Sequence, residues 1–249
     1  MLQSFWPMPG RTASPEELLE RAMSARSSTS RERFAKRGLA SRAPLDRTTH
    51  AMLLRQLYLA HFEAERFDRA LEAAVSAISL DVLTDVLHQD AARAALAQGL
   101  LDESVSHLRA AARRGPASRR PFHLWTLGSV LFLAGRYDEA IHALERAARW
   151  GTRDKPLYRA HLALARIAAG EPVRDLQSTF DELATAPCGQ GYGRFVLGHL
   201  AYAAGEFEVA RRYLDAFVRR TAAARTPMGI ALQGEMKMAK ATLAKMSPS

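Results

Sequence analysis

PFHLWTLGSVLFLAGRYDEAIHALERAARWG, residues 121–151, decides how the rest of the chain is read. Leu124, Leu127 and Leu131 fall on one helical face, with Gly128 among them, until Ala134-Gly135-Arg136 breaks the period. Tyr137, Ala140, Leu144 and Ala147 then resume it, so the spacing predicts two helices joined by a tight turn. Gly128 and Ala140 carry little or no side chain, which lets the two helices cross closely, and Tyr137 is placed to fill the space beneath the turn. The same chemistry returns 70 residues later: Leu197, Gly198 and Ala201, a turn at Gly205, then Phe207, Ala210, Leu214 and Phe217.

Working outward, turn positions recur at Glu65, Gly99, Gly135, Gly170 and Gly205, separated by 34, 36, 35 and 35 residues. A period of this length is the mark of a repeat array, in which each unit buries its apolar face only against its neighbours. The units run at about 51–84, 85–118, 121–154, 156–189 and 191–222, and three of them are weaker copies. The first has Tyr58 at the place of the small residue. The second carries Ala92, Leu101, Ser104, Leu108 and Ala111, and ends with Pro116. In the fourth, Pro172 takes the aromatic position, expected in a helix's first turn, and Asp175 replaces the small residue. Asp68, Asp102, Asp138 and Glu208 open second helices, where an acid favours the positive end of the dipole.

This pattern resembles the tetratricopeptide repeat, whose signature pairs Leu-Gly in the first helix with an aromatic and a small residue in the second. The resemblance covers about residues 51–222 and implies an all-α chain, a right-handed α-α superhelix of about five helical hairpins. Residues 1–50 are either a basic arm or a degenerate hairpin; Ser14-Pro15-Glu16-Glu17 reads as a helix start. Residues 226–249 are expected to form a last helix and short tail. Its apolar stripe of Leu232, Met236, Ala239, Leu243 and Met246 would cap the open end of the stack.

The resemblance also implies a function, the binding of a peptide or protein segment in a concave groove lined by the first helices. On this frame the groove receives Arg55 and Phe62 from the first unit, and Gln89 and Arg93 from the second. Trp125, Ser129 and Phe132 come from the third, His161 from the fourth, and Tyr192, Phe195, His199 and Tyr202 from the fifth. Some members hold a C-terminal carboxylate in a clamp of lysine, asparagine and arginine. This chain contains no asparagine, so that clamp does not carry over.

The chain of 249 residues has a formal net charge of +9. Residues 51–220 carry 22 basic and 20 acidic side chains, so most of the excess sits at the two ends rather than on one face, unlike a nucleic-acid reader. One local exception stands out. Residues 104–137 contain no acid but six arginines, of which Arg109, Arg113, Arg114, Arg119 and Arg120 form a candidate anion patch. Its other reading is a solvated helix end, where arginines complement the dipole. The alternative function that follows is a regulatory or secretion-associated, chaperone-like protein whose basic surfaces touch a polyanion, whether nucleic acid, a membrane surface or an acidic client.

Neither catalysis nor a cofactor or metal is expected. No HExxH, CxxC or Walker-type loop occurs. His123, His142 and His161 fall on different helices, and Cys188-Gly-Gln-Gly-Tyr-Gly follows no strand. With a single cysteine, no apolar run of spanning length and no basic segment leading into an apolar one, the expectation is a cytoplasmic protein.

Overall fold

All five turn positions adopt left-handed backbone: φ is 56° at Glu65, 77° at Gly99, 74° at Gly135, 78° at Gly170 and 82° at Gly205. Glycine takes this conformation without strain, which is why it recurs at four of the five. The computed structural model describes residues 13–224 and 226–246, and among them every regular element is helical. The chain divides into two compact units, with the boundary between Leu83 and Thr84.

In the first unit, α1 (Pro15–Met23) begins at a capping box: Ser14 Oγ accepts from the Glu17 amide, and the Glu17 carboxylate accepts from the Ser14 amide. It pairs with α2 (Ser28–Leu39), and both pack on α3 (Arg47–Glu63), which turns through Glu65 into α4 (Phe67–Ile78). Residues 15–39 are therefore a helical hairpin. Gly38 permits the approach of α2 to α3, since a Cβ there would stand 2.7 Å from Leu53 Cδ2. Arg31 binds Glu63, and Arg66 binds Glu32 at 2.6 Å.

The second unit holds four hairpins: α5 (Thr84–Ala97) with α6 (Leu101–Arg114), α7 (Arg120–Leu133) with α8 (Tyr137–Trp150), α9 (Lys155–Ala168) with α10 (Leu176–Thr185), and α11 (Gly193–Ala203) with α12 (Phe207–Ala222). A short α13 (Thr226–Ala231) and α14 (Gln233–Lys245) follow. The close crossings lie where the leucine-glycine pairs fall. A Cβ on Gly128 would meet Leu144 Cγ at 2.5 Å, and one on Gly198 would meet Leu214 Cγ at 2.6 Å. Ala140 and Ala210 are fully buried opposite them.

Two local expectations change. Pro172 does not enter a helix: the step before proline disfavours helical backbone, Asp175 turns left-handed at φ 57°, and α10 starts only at Leu176. Phe207 is 53% exposed rather than tucked under its turn. Its ring packs instead on Tyr202 at 5.7 Å, as Tyr137 packs on Phe132 at 6.0 Å and Phe67 on Phe62 at 5.5 Å. Each pair clasps one left-handed turn from both sides.

Candidate functional site

On the first helices of the second unit, side chains from three hairpins converge. Trp125 and Ser129 project from α7, His161 from α9, and Tyr192 and His199 from the start and middle of α11. Trp125 packs edge-on against Tyr192 with ring centroids 4.9 Å apart, and its Nε1–H donates to His161 Nδ1 at 3.1 Å. That bond puts the His161 proton on Nε2, which is buried and finds no partner among the described residues. The ring is fully buried, and desolvation pushes its pKa down to about 3, so it is neutral at any ordinary pH. The Tyr192 and Ser129 hydroxyls share a hydrogen bond at 2.5 Å.

A fourth contributor comes from outside the repeats. α13 and α14 leave α12 and turn back across the first helices: α13 packs on α5, and α14 packs on α12 and α11. Gly234 approaches Leu133 of α7 so closely that a Cβ would stand 3.1 Å from its Cδ1. Glu235 then brings a carboxyl within reach of the Tyr192 and Ser129 hydroxyls. One helical turn on, Ala239 is fully buried, and Thr242 shares a hydrogen bond with His199 Nε2 at 3.3 Å. Arg211 of α12 donates to the carbonyl of Met246. Burial pushes Glu235 up to about 7, the opposing hydrogen bonds from Tyr192 and Ser129 being too few to hold its charge. Burial likewise raises Tyr192 well above the ordinary phenol range and lowers His199 to about 4.

The expected groove residues thus divide. Phe195, His161, Ser129, His199 and Phe132 are buried, some beneath α14, so they form no open wall. Phe62 and Phe132 clasp turns, and so does the half-buried Tyr202. Gln89 is buried, with its Nε2 unpaired among the described residues. Arg93 is exposed, lying 3.5 Å from buried Asp90. Arg55 is half-buried in the first unit. Trp125 and Tyr192 are partly covered, and beside Trp125 the ring of Phe122 is 38% exposed at 5.8 Å. Glu235 and Thr242 were not foreseen. Their sequence signal is their place one turn to either side of Ala239, on a face that carries no lysine.

Within the arginine patch, Arg119 turns to Asp85, while Arg109, Arg113 and Arg120 stay together at one cleft. Arg119 clamps the Asp85 carboxylate at 2.8 and 2.9 Å, and His123 Nε2 lies 3.0 Å from the same group. Burial pushes Asp85 upward, yet the His123 and Arg119 hydrogen bonds outweigh it and hold the carboxyl below its usual range. Arg109 pairs with Glu139 at 2.6 Å, and Arg120 Nε donates to the Ala112 carbonyl at 3.1 Å. Arg113 and Arg114 are exposed at the end of α6. Between α6, α7 and α8 the structure opens a cleft of about 620 Å³, floored by Leu124, Leu127 and Leu131 and rimmed by Arg109, Arg113, Arg120 and Arg146.

A family model for the tetratricopeptide repeat matches residues 89–156, from the middle of α5 to the start of α9. Over these residues the chain is similar to the tetratricopeptide repeat family. No curated protein matches it. Tetratricopeptide repeats generally mediate protein–protein interactions and are typically non-enzymatic. Glu235, Ser129, His161 and His199 are all buried. Among the described residues no group of three or more His, Cys, Asp or Glu could hold a metal ion. No described helix is long and apolar enough to cross a membrane. Cys188 is half-buried, and burial raises its thiol pKa, so it is a poor nucleophile.

Proposed function

We propose that this repeat protein is a non-enzymatic, cytoplasmic scaffold or adaptor whose first helices hold a segment of another protein. One observation supports the reading above the others: two first helices of the second unit, α7 and α11, already meet a helix, α14, that also packs on α12. The contacts are those a bound segment would make, apolar packing through Ala239, Met236 and Leu243 with hydrogen bonds to His199 and the Tyr192–Ser129 pair. A photo-crosslinking side chain placed at Phe122, at the open margin of this face, is expected to capture a protein partner in the native host. The same probe at exposed Phe207, beyond the turn after α11, is expected to capture none. Equal capture at both positions, or at neither, would defeat the reading.

A second reading rests on the α6–α8 cleft. Its apolar floor and arginine rim suit an acidic, amphipathic segment, and such binding would weaken steeply with salt. Reversing Arg113 and Arg146 to glutamate is expected to abolish it, while leaving capture at Phe122 unchanged.

A further inference from the structure

α14 is held by few residues. Of its residues only Glu235, Ala239 and Thr242 are buried, and the lysines at 237, 240 and 245 face solvent. It reaches the first helices through the six-residue α13, not through a repeat turn. Its central anchor is a carboxyl placed where the surrounding elements supply hydroxyls and no cation. From α7 it meets Ser129, and from α11 it meets Tyr192, which keeps its proton. On the remaining elements packed here, His161 of α9 and His199 of α11 are neutral, and Arg211 of α12 is engaged on the Met246 carbonyl at the far end. A site built of neutral donors accepts an uncharged hydrogen-bonding group more readily than a carboxylate. Behind it, the buried His161 Nε2–H finds no partner among the described residues.

We infer that the face formed by α7 and α11, bordered by α12, is a docking site for an apolar helix bearing one neutral hydrogen-bonding side chain, that α13–α14 occupies it as a self-weakened internal ligand, and that the protein's partner is a helix of that chemistry which displaces α14. The inference rests on the reading that this protein binds a protein segment on its first helices, and it names what that segment must carry. Methionine, leucine and alanine supply the apolar stripe, as Met236, Leu243 and Ala239 do now. A glutamine or similar group stands where Glu235 stands. Near neutral pH and above, the internal ligand bears the cost of a buried carboxylate and the partner does not.

The pH dependence has a definite sign. Glu235 is raised from 4.5 to about 7 when docked, so docking is strongest below about 4.5 and weakens as pH climbs to about 7. Between pH 5 and pH 8 the weakening is about two orders of magnitude, because each unit of displaced pKa is a factor of ten. His199 is held down to about 4 by burial, so exposing its ring on release of α14 would act in the opposite direction below about 6.5, whereas Tyr192 stays protonated throughout.

The test uses the full chain and a fluorescent synthetic peptide of residues 226–246, made with Glu235→Gln and in its native form, read by anisotropy. At pH 8 the glutamine peptide is expected to bind at least thirty times tighter than the native peptide. At pH 5 it is expected to lose at least tenfold, because the internal α14 then holds its place. The full chain carrying Glu235→Gln, whose own α14 is no longer weakened, is expected to bind the glutamine peptide at least tenfold more weakly at pH 8. Hydrogen exchange should show the amides of α14, and not those of α9, losing protection as the peptide binds. Absence of binding at pH 8, equal binding to both chains, or protection lost throughout the second unit would overturn the inference. So would a dimer formed by exchange of α13–α14, which would make the occupant a second copy. If the peptide displaces α14 but crosslinking at Phe122 captures no protein, the site and its internal ligand stand, and the external partner fails together with the scaffold reading. If a captured partner ignores Glu235→Gln, the scaffold reading stands and the inference fails.

Discussion

Two surfaces of the second unit, both built on α7, have opposite fates. On one side α7 contributes Trp125 and Ser129 to a face that a helix already covers, where polar groups are buried, neutral and mutually hydrogen-bonded. On the other it contributes Leu124, Leu127 and Leu131 to the floor of an open cleft, where the polar groups are four arginines together with Glu139 and His142. The covered face stores its chemistry in desolvation, so its responses are large and depend on pH. The open cleft leaves its charges in water, where pairs such as Arg109 with Glu139 are screened and contribute little. The comparison teaches that residues one helical turn apart can belong to surfaces with different sensitivities.

The most damaging change removes the common support of both. Ala140 is fully buried against α7, and the Gly128 crossing leaves no room beside it. Ala140→Glu is expected to cost about 3–5 kcal/mol by overpacking and by burying an uncompensated charge, read as a fall in the denaturation midpoint. It should harm peptide binding at the covered face and any anion binding in the cleft together. If one survived intact, the two surfaces would not share α7 as a rigid wall.

A smaller effect isolates the covered face. Glu235→Gln keeps the shape and the hydrogen bonds but removes the ionisation. Because the folded pKa lies above the unfolded value of 4.5, the native chain has this contribution in full below pH 4.5 and loses it through about 7. The variant is expected to be more stable than the native chain by about 2–3 kcal/mol at pH 8 and no different at pH 4. A thermal melt at both values checks it; a pH-independent difference would mean that Glu235 is not ionising in place.

The smallest effect belongs to the cleft. Arg113→Glu with Arg146→Glu should leave stability within about 0.5 kcal/mol of the native chain at any pH, since both side chains are exposed. Differential scanning calorimetry measures this directly. A loss above about 1 kcal/mol would show that the rim is structural, as Arg119 is through Asp85.

Much of the architecture can be read from residues alone because it is local. The spacing from Glu65 to Gly205 marks the left-handed turns, and Leu127-Gly128 and Leu197-Gly198 mark the crossings, since backbone conformation and close approach dictate residue type at the position itself. The site is less readable, because exposure is not local. Phe62, Phe132 and Tyr202 fit a groove by helical position, yet each meets an aromatic ring five residues on, across its turn. Arg119 and Arg109 look unpaired within their stretch, but Asp85 and Glu139 reach them from 34 and 30 residues away.

By itself, then, the sequence determined the helical hairpins, their period, their turns and the apolar character of the last helix, all consequences of spacing along one helix or one turn. Only the tertiary structure decided that the last helix packs on α11 and α12 with Gly234 against α7, that Glu235 rather than a lysine is its buried ionisable group, and that Phe132, His161, Phe195 and His199 are buried. The physical reason is that burial depends on which elements meet. A carboxyl flanked in sequence by glycine and methionine is unremarkable until α7 and α11 close over it and supply hydroxyls where it needs a cation.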